Sequence, residues 1–190
     1  MSKRKSILII CPFPEGVAAG QRLKYEQYIV QWKKNGWEVD ISSFMDMQTW
    51  KVAYISGSYR KKFFGILKGH VRRIFDLFRI RNYDLVYVFM YVTPFLTTAM
   101  ERLVRKLAKK LIYDIEDNIF SEQNFLKQNN PNPFSKILKS SNKATFLIKK
   151  ADHVITSSPF LNKFCFERNI YKASTYITST VNTELFYPAN

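Results

Sequence analysis

The sequence predicts a doubly wound α/β domain built on a parallel sheet, and three observations predict it. Ser6-Ile-Leu-Ile-Ile-Cys11 and Asp84-Leu-Val-Tyr-Val-Phe89 are continuous apolar runs, the signature of strands buried on both faces. Between such runs lie segments of helical period, and strands alternating with helices imply right-handed crossovers. At 190 residues, with 46% hydrophobic and 16% aromatic content, the chain can bury one such core without disulfides or metals.

Pro12 and Pro14 close the first strand, and a loop from Pro12 to Gly20 leads to a helix over about Gln21 to Asn35. There Tyr25, Tyr28, Ile29 and Trp32 fall at i, i+3, i+4 and i+7 and form one apolar stripe. Asn35-Gly36 stops that helix, and Trp37 to Ser43 reads as the second strand. The segment Arg60 to Arg81 supplies a helix with Leu67, Val71, Ile74, Phe75 and Phe78 on one side. After the strand ending at Phe89, Pro94 opens a helix through Lys110, and Leu111 to Asp114 is a short strand. Pro133 starts a helix to Lys150, His153 to Thr156 is the next strand, and a helix and a last strand follow. The turn around Val181-Asn182-Thr183 and the proline at 188 read as an exit. Residues 1–180 are therefore expected to form the domain, with 181–190 beginning a linker to a second one.

Cys11 and Cys165 form no CxxC and fit a reduced, cytosolic compartment. The apolar run after Lys3-Arg4-Lys5 is too short for a signal peptide or a spanning helix, so a soluble or peripheral protein is expected. The net charge of +15 attracts nucleic acid, an anionic membrane surface or phosphorylated substrates. Arg60 to Arg81 carry eight Lys/Arg against one acid, Asp76. Lys61, Lys62, Arg72 and Arg73 there interleave with aromatics that include Phe63 and Phe64, as in an amphipathic helix lying on anionic lipid. The alternative is a crossover helix whose apolar stripe covers the sheet and whose outer face is merely basic. Nucleic acid is not expected, because no RNP-type, zinc or recognition-helix pattern is present.

In doubly wound sheets the working groups sit beyond the carboxyl ends of the strands. That rule selects the loops Pro12 to Arg22, Asp114 to Gln123 and Thr156 to Pro159. In the first, Gly16 and Gly20 permit close backbone approach to a ligand, although the pattern is neither GxGxxG nor a P-loop. A plain flexible connection is the competing reading. Asp114-Ile-Glu116-Asp117 gathers three of the chain's fifteen acids. Like charges packed together imply a hydroxyl, a cation or basic partners to receive them. A metal-binding pair, a carboxylate that orients or deprotonates a hydroxyl, and helix capping with ion pairs all remain open at this point. His70 and His153 read as structural.

In this order the pieces resemble the N-terminal domain of GT-B glycosyltransferases, specifically the retaining group 1, or family 4. The matching residues are Ile7 to Pro14 with the Gly16/Gly20 loop, Asn35-Gly36-Trp37-Glu38-Val39, Tyr83 to Tyr87 and Tyr113 to Asp117. Ala151 to Ser158 and Ile177 to Pro188 match as well, the latter against the family's "IPNGVDTELFxP" exit. Ser179-Thr180 stands where the family has Asn-Gly, and the first loop lacks an adjacent glycine pair. The resemblance implies a Rossmann-like half of a two-domain enzyme, with a nucleotide sugar as donor, no cofactor, and a glycan or lipid-linked acceptor. Such an enzyme would act in cell-surface polysaccharide synthesis, peripheral at the inner face of the membrane. It implies an acceptor hydroxyl held by Asp117, secondarily Glu116, with Asp114 beside them and no metal. It further implies a Gly16/Gly20 loop near the donor diphosphate, Arg22 as an anion contact, and Ser157 and Ser158 on sugar or phosphate. The present half alone is expected to be inactive. The alternative reading is a non-catalytic basic module that binds anionic membrane or polymer.

Overall fold

The computed structural model describes residues 4–53, 55–94, 97–116 and 141–181. Six strands form one all-parallel sheet: β1 (Lys5–Cys11), β2 (Trp37–Ser43), β3 (Leu85–Phe89), β4 (Leu111–Ile115), β5 (His153–Thr156) and β6 (Ser174–Tyr176). Around it lie α1 (Ala19–Lys24), α2 (Ile29–Lys34), α3 (Met47–Ala53), α4 (Tyr59–Arg79), α5 (Ala99–Leu107), α6 (Ser141–Lys150) and α7 (Pro159–Arg168). The strand order is β2-β1-β3-β4-β5-β6, so the direction of strand addition reverses between β1 and β3. This is the doubly wound, Rossmann-like fold that the apolar runs predict, and the reversal creates a switch point at the carboxyl ends of β1 and β3.

Strand alternation divides the core in two. Leu8, Ile10, Val86, Val88 and Tyr113 face Val104 of α5, Leu147 of α6 and Leu161 and Cys165 of α7. Ile7, Ile9, Cys11, Tyr87 and Phe89 face Tyr25 and Ile29 from the first helical region. That region is broken: a 3-10 turn over Glu26–Tyr28 separates α1 from α2. The turn brings Gln27 and Tyr28 onto the chain near Thr180, which a continuous stripe would not do. Gly36, at φ +84, ends α2 in the left-handed conformation its position requires.

Three helices differ from expectation. α5 begins at Ala99, not Pro94, and ends at Leu107. The helix expected from Pro133 is described from Ser141; Pro133 and the Asn-rich 123–132 stretch lie outside the described residues. α3 was not anticipated, yet its signal was present: Asp46 Oδ1 accepts the Thr49 N–H at 2.8 Å and the Thr49 hydroxyl at 2.7 Å, a first-turn cap.

On α4 the structure departs from the alternative of a sheet-covering stripe and, at Arg73, from the expected surface contact. The stripe Leu67, Val71, Ile74, Phe75 and Phe78 is exposed, Phe75 at 66% and Phe78 at 78%. The packed face is instead Gly65, Gly69, Arg73 and Asp76. A Cβ on Gly69 would meet the Phe44 ring at 2.7 Å, so only glycine lets the helix approach that closely. Arg73, expected at the membrane surface, is 1% exposed. Its guanidinium donates to the carbonyls of Cys11 at 2.8 Å, Ser42 at 3.1 Å and Val92 at 2.7 Å, and pairs with Asp76 at 2.9 Å. It thus adds hydrogen bonds to the backbone at the ends of β1 and β2 and beyond β3, the Cys11 carbonyl also accepting the Phe44 N–H at 2.8 Å. Lys61, Phe63 and Phe64 lie exposed in the first turns of α4, with Lys62 and Arg72 half-buried.

Among the described residues no helix is long and apolar enough to cross a membrane. Cys11 and Cys165 are buried free thiols, and burial pushes them up to about 11 and about 12 respectively.

Candidate functional site

The loop after β1 is rigidly built rather than a flexible connection. Gln21, fully buried, receives the Phe13 N–H at 3.0 Å and returns a hydrogen bond to the Phe13 carbonyl at 3.0 Å. Its amide also reaches Glu26 Oε1 at 3.0 Å, while Glu26 Oε2 accepts the Gly16 N–H at 3.0 Å. Gly16 adopts φ +80, the region glycine enters without a steric cost. The Phe13 ring packs edge-on against Trp50 at 5.0 Å. One side chain and one carboxylate therefore set the shape of the whole loop.

That shape delivers Gly20 to the end of β4. A Cβ on Gly20 would have to displace the Glu116 carboxylate, whose Cδ lies 3.2 Å from where that Cβ would be. From the third loop the Ser157 hydroxyl donates to the Glu116 carbonyl. Ser179 Oγ, beyond β6, reaches Glu116 Oε1 at 3.3 Å. Four chain segments thus meet at Glu116, whose half-buried carboxylate lies between Gly20 and Ser179 while Ser157 holds its main chain.

Asp114, two residues earlier, has a different fate. It is 2% exposed, its Oδ2 accepts the Tyr87 hydroxyl, and Lys24 Nζ lies 3.6 Å from Oδ1. Among the described residues Oδ1 has no hydrogen-bond partner. Burial pushes the Asp114 carboxyl up, while the Lys24 ammonium and the Tyr87 hydroxyl pull it down. Burial raises the Tyr87 hydroxyl well above its usual range, and the neighbouring carboxylate adds to that. Expected to contact substrate, Asp114 is instead the buried half of an internal ion pair beneath the surface. Lys24 also donates to the Ile177 carbonyl at 2.7 Å, so the same pair ties down the segment that carries Ser179.

The other expected residues divide cleanly. Ser158 is the N-cap of α7, accepting the Leu161 N–H at 3.2 Å, with Pro159 at the first helical position. Arg22 is exposed on α1. Asp117 lies outside the described residues. Among the described residues no cluster of three or more His, Cys, Asp or Glu is arranged to hold a metal ion. His70 packs edge-on against Phe44 at 5.2 Å, and burial lowers its pKa. His153 meets Thr175 Oγ1 at 2.8 Å.

Sequence reasoning missed Ser179, Gln21 and Met90. Met90 closes β3 at φ +61, an unusual conformation for a non-glycine. Its N–H reaches the Asp114 carbonyl at 2.9 Å, and the Tyr113 hydroxyl donates to its carbonyl at 2.9 Å. No motif marks Met90; Ser179 stands at the Asn-Gly position of the resembled exit pattern, and Gln21 flanks Gly20 at the helix start. Chemically the arrangement offers one carboxylate that can accept a hydroxyl proton or hydrogen bond, seated against Gly20 with the Ser179 hydroxyl beside it. The sequence matches no protein-family model and no curated protein.

Proposed function

We propose that the chain is the acceptor-side half of a glycosyltransferase that moves a sugar from a nucleotide-sugar donor to a saccharide or lipid-linked acceptor. The single observation that carries this reading is the seating of Glu116, with its carboxylate between Gly20 and Ser179 and its main chain held by Ser157. In this role Glu116 accepts a hydrogen bond from an acceptor hydroxyl and orients it toward the donor. Gly20 keeps the first loop low enough for the sugar to reach that carboxylate. The buried Asp114–Lys24 pair holds the floor of the site and touches no substrate.

The test is acceptor binding by the chain itself, since donor contacts are assigned to a second domain. Titration with a panel of saccharides and saccharide phosphates, read by ligand-observed NMR, is expected to reveal a binder that Glu116→Gln weakens at least tenfold. Binding indifferent to Glu116→Gln, or no binder in the panel, leaves a non-catalytic basic module as the better account.

A further inference from the structure

We propose that α4 is an in-plane anchor that docks the domain on an anionic lipid bilayer through the face turned away from the sheet. Phe64, Leu67, Val71, Ile74, Phe75 and Phe78 recur at helical spacing and are each more than two-fifths exposed. They lie about half a turn around the helix from Gly65, Gly69, Arg73 and Asp76, the residues that pack inward. Among the described residues, none of the six belongs to either core cluster.

Charge names the occupant. Lys61, Lys68, Arg72 and Arg79 follow one another at intervals of seven, four and seven residues, which places them in a single row along one flank of the stripe. Arg60, Lys61 and Lys62 take part in none of the described ion pairs, and Lys68, though paired with Asp46 at 2.6 Å, is 62% exposed. Arg79 pairs with Asp40 at 3.6 Å and Asp76 at 3.0 Å, and Arg72 donates to the Ser43 carbonyl, so the cations left to meet an anionic surface are Arg60, Lys61, Lys62 and Lys68, on a chain of net charge +15. Aromatic and aliphatic side chains below and basic ones at the margin are the arrangement of a helix lying at a headgroup boundary. Long Lys and Arg stems can reach phosphates while their methylenes stay apolar.

A groove of about 770 Å³ runs beside this face, between Val71, Arg72 and Phe75 of α4 and Ile41 and Ser43 of the edge strand β2, and it reaches Glu15 of the first loop. Of its cations Lys68 pairs with Asp46, Arg79 pairs with Asp76 and Arg72 donates to the Ser43 carbonyl, so the groove is not itself an anion cavity. The attraction comes from the exposed Arg60, Lys61 and Lys68 and the overall field. Docking stands on α4 alone and holds whether or not the Glu116 site transfers sugar.

The experiment labels one position. Cys11 and Cys165 are buried, so Phe75→Cys provides a single reactive thiol on the stripe of the full chain. Without vesicles it is expected to react readily with a maleimide. With phosphatidylglycerol vesicles at low salt it is expected to react at least tenfold more slowly, and phosphatidylcholine vesicles are expected to give no such protection. Lys61→Gln with Lys62→Gln is expected to lower vesicle partitioning about 25-fold, from about fivefold per basic residue near an anionic surface. Phe64→Ser with Phe78→Ser is expected to abolish binding while leaving the melting temperature unchanged. Protection in the absence of vesicles overturns the proposal: if it grows with protein concentration the occupant is a second copy, and if it does not the chain covers its own stripe. Equal reactivity with and without anionic vesicles overturns it too.

Discussion

The Glu116 carboxylate fills the space a Cβ would occupy on Gly20. Replacing glycine by alanine in a helix normally stabilises by about 0.5–1 kcal/mol. Here Gly20→Ala must displace Glu116, so that gain is expected to vanish in the native background and return with Glu116→Ala. A double-mutant cycle in urea should give a coupling of about 1 kcal/mol. Additive values would show that the two residues do not share the space.

Gly69 poses the same question against a stiffer neighbour. Its hypothetical Cβ lies 2.7 Å from the Phe44 ring, which cannot swing away as a carboxylate can. Gly69→Ala is expected to destabilise by about 1–3 kcal/mol through overpacking, against the sign of helix propensity. Thermal unfolding measures it directly, and an alanine that stabilises would contradict the close approach of α4.

Arg73 and Phe75 reverse the ordinary roles of charged and aromatic residues. Arg73→Met leaves three strand-end carbonyls and Asp76 without the guanidinium and is expected to cost about 3–5 kcal/mol. Arg73→Lys is expected to rescue little, because an ammonium cannot reproduce the planar fork. Phe75→Ser, by contrast, should alter stability by less than about 0.5 kcal/mol. Chemical denaturation of the three variants separates these outcomes.

Asp114 sets a pH dependence. Its folded pKa is raised above the ordinary 3.8 by burial, so the folded state holds that proton more tightly than the unfolded chain. Stability from this group therefore falls as pH rises from about that ordinary value through the folded one. Tyr87 donates to the ionised form, and removing it raises the carboxyl further. Tyr87→Phe is expected to cost about 1.5–3 kcal/mol at pH 7 and distinctly less at pH 4. Denaturation at the two pH values checks it; a loss that is the same at both would mean that the hydroxyl does not serve the carboxylate.

The strands were legible because a buried parallel strand needs apolar residues on both faces, and such runs announce themselves. β2 and β5 were placed residue for residue, and β1, β3 and β4 to within one residue. Asn35-Gly36 stopped α2 for a local reason, the left-handed turn only glycine takes easily. The break between α1 and α2 was hidden because it answers to Thr180, some 150 residues away in sequence. α3 could have been found from Asp46 and Thr49, since capping is local chemistry.

The site shows the same division within a few residues. Local sequence alone determined that β4 ends in an acidic cluster and that the first loop is built of small residues. It could not separate Asp114 from Glu116, which share a strand end and a charge. Only the fold placed Lys24 and Tyr87 beside one carboxylate and Gly20 beside the other, burying the first as a structural pair and leaving the second at the edge. For α4, likewise, periodicity determined a helix with an apolar stripe, but not which way it turned. That was decided by the space at Gly65 and Gly69 and by strand-end carbonyls that accept hydrogen bonds from Arg73. A helix docks on the face that satisfies its neighbours, and those neighbours are distant in sequence.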